Sequence, residues 1–76
     1  MKRKIINHIS SQVDMDRVNL AVKYMYYQRA PLSHVDPGLY DKITDLLDEY
    51  GEDNDLPKDW YLTEGIDPED LILELK

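Results

Sequence analysis

The fold class expected of this chain is all-α: a small single-domain helical bundle of three to four short helices. Three observations lead there. Apolar residues recur at helical spacing in two long stretches, and one of these runs from Asp14 to Arg29 without a glycine or proline. The dipeptide Asp-Pro occurs twice, at 36–37 and 67–68, each time just before such a pattern. It is a strong local start signal, because the aspartate caps the helix and the proline is tolerated at its first position. The 76 residues suit one domain and not two, and the 42% hydrophobic and 33% charged composition is that of a globular protein.

The basic segment 1–10 is the ambiguous element. Ile5, Ile6 and Ile9 sit among Lys2, Arg3 and Lys4, which fits either a short strand or the first turns of a helix. As a signal sequence, Ile5 to Ile9 is too short and too polar for an apolar targeting region. Helix A, residues 14–29, follows. Met15, Val18, Val22 and Met25 recur along one side. Ser10, Ser11 or Asp14 is available as its cap, and Ala30-Pro31 ends it.

Helix B is expected over 37–50. Asp36 caps it, Pro37 takes the first position, Val35 is placed to staple onto Tyr40, and Gly51 is read as the residue that terminates it. Residues 52–65 form an acidic loop with a turn carrying Trp60, Tyr61 and Leu62. Helix D, 68–75, starts at Asp67-Pro68, with Ile66 placed to staple onto Leu71. A rival arrangement makes Leu71–Leu75 a strand beside Lys4–Ile9, which the leucine-rich composition disfavours.

Little in the chain carries chemistry. There are no cysteines and two histidines, His8 and His34, which removes disulfides and thiol nucleophiles and makes a reducing, cytoplasmic setting the default expectation. Ser33-His34-Val35-Asp36 contains the residue types of a hydrolase triad, but triad members meet through a fold and not as neighbours in a row. The carboxylates from Asp48 to Asp55 lack the spacing of a calcium loop, since Asp53 and Asp55 run into Leu56-Pro57. No enzyme activity, cofactor or metal is therefore expected. A helix-turn-helix reading fails on sign: Asp41, Asp45, Asp48 and Glu49 outnumber Lys42, and phosphates would repel such a helix. Neither direct nucleic-acid binding nor a membrane span is expected.

Two features point to binding. The first is charge. Residues 1–30 hold six basic and two acidic side chains, net +4, and residues 31–76 hold three lysines and fourteen acids, net −11, giving −7 for the chain. Asp41, Asp45, Asp48, Glu49, Glu52 and Asp53 are the candidates for an acidic face that imitates nucleic-acid phosphates and occupies a basic groove on a partner protein. An ordinary solubilising surface gives the same counts and is the plainer of the two readings.

The second feature is a stripe on helix A formed by Leu20, Tyr24 and Tyr27, roughly opposite its core face. Either helix A is central and Trp60, the N-terminal isoleucines or helix D cover this stripe, which is the favoured reading, or it contacts a partner or a second copy. In size and charge the chain is similar in type to the small acidic inhibitor and accessory proteins of phages and mobile elements. The leading expectation is a non-enzymatic protein-binding inhibitor or accessory module; the alternative is an assembly subunit that forms a homo-oligomer through the tyrosines.

Overall fold

A computed structural model describes residues 2–75. It is all-α, with six helices among the described residues: α1 Lys2–Ser10, α2 Met15–Gln28, α3 Leu32–Val35, α4 Pro37–Asp53, α5 Trp60–Thr63 and α6 Pro68–Leu75. The expected count of three to four falls short because the N-terminal segment and two single-turn pieces, α3 and α5, are helical too.

The ambiguous N-terminus is thus helix α1 and not a strand. Ile5 and Ile9, four residues apart and so on one helical face, are both fully buried in the core, with Ile6 packed at its edge. α1 packs on α4 and α6, so the two segments considered as paired strands do meet, as helices.

α2 begins where Asp14 accepts a hydrogen bond from the Asp16 N–H (2.9 Å). It ends at Arg29, whose backbone is left-handed (φ 51°), ahead of Pro31. Val18, Ala21 and Val22 are buried, and Met15 and Met25 pack half-buried beside them. The chain then makes the short helix α3, which buries Leu32.

α4 starts as expected, with Pro37 in its first turn and the Asp36 carboxylate accepting from the Leu39 N–H (3.1 Å). It buries Leu39, Ile43, Leu46 and Leu47. It does not stop at Tyr50: Gly51 lies inside the helix and is buried. The first residues of the expected loop 52–65 are therefore its last turn. Termination falls instead to Asp55, left-handed at φ 55°, with the Leu56 N–H donating to the Gly51 carbonyl (2.8 Å) and the Asp55 N–H to the Glu52 carbonyl (3.3 Å). This is the paired closure of a Schellman motif.

Gly51 has a packing reason to be glycine. A Cβ there would lie 2.5 Å from Nε1 and 2.6 Å from Cδ1 of Trp60. The indole fills that space and donates to the Leu47 carbonyl (3.0 Å), so its one polar atom is satisfied inside the core. Trp60 in turn meets Tyr50 at a tilt and Tyr61 edge-to-face, at centroid distances of 5.6 and 6.0 Å. α6 closes the core with Leu71 and Ile72, and the Asp67 carboxylate accepts from the Glu69 N–H (2.9 Å).

Candidate functional site

α4 places four of the six acidic candidates on its outer side, with Glu49 and Asp53 displaced toward one flank. Its apolar residues face the core, and at 100° per residue Asp41, Asp45, Asp48 and Glu52 fall within an arc of about 60° on the opposite side. Glu49 and Asp53 widen that face, and all six are exposed. None is ion-paired with another described residue. Lys42 stands at the N-terminal end of the stripe. At its far end Lys58 lines a cleft of about 380 Å³ with Asp48, Glu52, Leu56 and Trp60. The field of this face reaches the core margin: the Tyr61 hydroxyl is pushed above its ordinary value, first by burial and then by the negative charges of Asp48 and Asp59.

α2 offers a different outer face. Leu20, Tyr24 and Tyr27 are 50%, 45% and 76% exposed, and Tyr26, outside the expected stripe, is 82% exposed. The favoured expectation, that this stripe is covered from within the chain, is thus overturned. Trp60 packs against α4, Ile5 and Ile9 are buried in the core, and α6 meets α2 on another flank, where Glu69 and Leu73 line a groove with Val22, Met25 and Tyr26. Tyr26 lies off that stripe, on the flank of α2 beside Asn19, Val22 and Lys23, so the spacing of Leu20, Tyr24 and Tyr27 does not include it. Lys23 Nζ lies 5.9 Å from the centre of the Tyr27 ring, within cation–π range.

The two faces are joined by one ion pair. Arg17 of α2 grips Asp36, the cap of α4, with both arms of its guanidinium: Nε to Oδ2 at 2.9 Å and Nη2 to Oδ1 at 2.8 Å. The Arg17 hydrogen bond, aided by the Leu39 N–H and opposed by partial burial, holds the Asp36 carboxyl below its ordinary range. Asp36 is thereby committed to structure. Ser33 and His34 are exposed on α3, so the four-residue run does not assemble a triad.

His8 is half-buried against Tyr50, with ring centroids 5.8 Å apart, and its Nε2 is buried without a hydrogen-bond partner. Among the described residues no three or more His, Asp or Glu side chains gather as a metal site, and no helix is long and apolar enough to cross a membrane. Of the basic N-terminal cluster, Arg3 and Lys4 are exposed on α1. Among the described residues, the hydroxyls of Ser10, Ser11 and Thr44 donate to backbone carbonyls, and α2 and α4 present two exposed faces of opposite character. No protein-family model, curated protein or solved structure matches the chain.

Proposed function

We propose that the protein is a non-enzymatic protein-binding module, an inhibitor or accessory factor that sets the acidic face of α4 against a basic, nucleic-acid-binding surface of a partner protein. The observation that carries this reading is the linear charge density of that face. Six carboxylates from Asp41 to Asp53 span about 18 Å of helix axis, a mean spacing of about 3.6 Å, close to the 3.4 Å per phosphate of a single DNA strand. They stand on a helix whose opposite side is locked into the core, so the spacing is held without ordering a flexible segment on binding.

The test is capture of partners from the native host, followed by measurement on whichever protein is bound. The expected partner carries a basic nucleic-acid site. Duplex DNA competes for it, the affinity falls steeply between about 50 and 200 mM salt, and reversing Asp41, Asp45, Asp48 and Glu49 together to lysine abolishes binding. A partner held equally well in high salt and by the reversed variant would end this reading.

A further inference from the structure

Residues 57–65, which carry α5 between α4 and α6, are anchored to the rest of the molecule at one point. Only Trp60 and Tyr61 of this strap are buried; the residues on either side of them are exposed. The backbone hydrogen bonds run within the strap or to the adjoining Ile66: the N–H of Trp60 to the Pro57 carbonyl, of Leu62 to Asp59, of Glu64 to Trp60, of Gly65 to Leu62 and of Ile66 to Tyr61. Among the described residues the strap has no ion pair, and one hydrogen bond leaves it for another helix, from the Trp60 indole to the Leu47 carbonyl. It is also undercut on both sides of that anchor. Toward its start lies the cleft of about 380 Å³ shared with Asp48, Gly51 and Glu52, and toward its end a second hollow of about 270 Å³, lined by Leu62, Gly65 and Tyr40.

Both ends of the strap are built to turn. Asp55 precedes it and Gly65 ends it, each left-handed, at φ 55° and 72°, and there is open space around Gly65 where a side chain would stand. Asp59, left-handed at φ 60°, precedes α5 without a side-chain capping bond. Hinges are typically a few residues of this kind at the ends of elements. The helices beneath do not depend on the strap, since α1 packs on α4 and α6, and α2 and α4 each pack on α6 directly. Lifting the indole strands no buried polar group either: the Leu47 carbonyl lies inside α4, and the freed indole N–H meets water.

We propose that residues 57–65 are a lid that opens as one unit about Asp55 and Gly65, with Trp60 as its latch, while α1, α2, α4 and α6 stay folded. Opening gives up the burial of two aromatic side chains and leaves the aliphatic core closed, so the lid opens far more often than the protein unfolds. It joins the cleft beside Asp48 and Glu52 to the slot that the indole vacates over Gly51 and beside Tyr50. The lid thereby controls access to a groove on α4, and it does so whether or not the acidic face has a partner.

Native-state hydrogen exchange followed by NMR tests this. Trp60 is the one tryptophan, so its indole N–H gives a single signal that reports on the latch itself. The indole N–H and the Glu64 and Ile66 amides are expected to share one protection factor, at least about tenfold below that of the Leu46 and Leu47 amides in α4. Between 0 and about 1 M urea the α4 amides speed up by about fivefold or more, as opening of the whole molecule requires, and the lid signals by less than about twofold. An indole protected as strongly as α4 and with the same urea dependence overturns the proposal, because Trp60 then leaves only on global unfolding. So does an indole that stays as slow as α4 while the Glu64 and Ile66 amides exchange fast, since the strap then frays around a fixed anchor.

Discussion

α2 and α4 are the two long helices of this protein, and they solve the same problem with opposite outer surfaces. Each buries one stripe of aliphatic residues, Val18, Ala21 and Val22 in α2 and Leu39, Ile43, Leu46 and Leu47 in α4. Beyond that stripe α4 shows water a row of carboxylates, which water solvates well. α2 shows it Leu20, Tyr24, Tyr26 and Tyr27, which water solvates poorly. The inner faces are set by the need for a core; the outer faces are free of that need, so their difference is informative about contacts outside the chain. The helices also differ in how tightly they are held. Both carry an aspartate cap and end on a left-handed residue, but α4 is wedged by Trp60, whereas α2 makes its most specific link to α4 through one ion pair.

The largest expected effect lies at the wedge. Alanine in place of an interior helical glycine ordinarily stabilises by about 1 kcal/mol. Gly51→Ala should do the reverse, costing about 2–4 kcal/mol, because the new Cβ must push the indole out of its packed position and off the Leu47 carbonyl. Gly38→Ala is the contrast. There the Cβ meets Nη2 of Arg17 at 2.8 Å, the far end of a half-exposed side chain; the guanidinium must shift on Asp36, loosening that ion pair, and the gain in helix propensity offsets the loss. Its stability should stay within about 0.5 kcal/mol of wild type. Urea unfolding of the pair decides the matter: equal effects would mean that Trp60 does not wedge α4.

The same contrast shows what was legible in the sequence. Asp36-Pro37, Asp67-Pro68 and Ala30-Pro31 announced helix boundaries because their chemistry is local, and each boundary is where the residues put it. Gly51 misled because a glycine after an apolar run has two explanations, a terminus or a close approach, and the approaching group is nine residues further on. α1 was undecidable because Ile5, Ile6 and Ile9 suit either periodicity; burial of Ile5 and Ile9 in the common core decides it. α3, four residues long, is too short to show a period. The acidic and tyrosine stripes were both visible as spacing, but spacing does not say which second face the rest of the chain will cover.

The link between the two helices should show itself in pH dependence. Asp36 is held below its ordinary value of 3.8 first by the Arg17 hydrogen bond, so its contribution is present above that value and is lost as pH falls through the lower folded one. Asp36→Ala, which loses the cap and the ion pair together, should cost about 1–2 kcal/mol near neutral pH. Asp36→Asn retains a capping oxygen but no charge. Its deficit relative to wild type at pH 6 should shrink as the pH falls below 3.8. A deficit that stayed constant through that range would show that the carboxylate charge is not what joins α2 to α4.

The smallest effect concerns the acidic face and has the opposite sign. The last turn of α4 has no basic residue and ends on Glu52 and Asp53, beside the partial negative charge of the helix C-terminus. Each also follows a like charge four residues earlier, Asp48 before Glu52 and Glu49 before Asp53, an arrangement unfavourable by a few tenths of a kcal/mol per pair. Glu52→Gln with Asp53→Asn should therefore raise stability by about 1 kcal/mol at low ionic strength, and by less in about 0.5 M salt, where the Debye length is only a few ångström. Thermal unfolding at the two salt concentrations measures both the gain and its screening. A gain would mean that these carboxylates work against the fold, leaving them as groups held for use outside it. A loss would mean that they stabilise α4, for instance through Lys58 across the cleft, and the proposed binding face would lose two of its six charges to the fold.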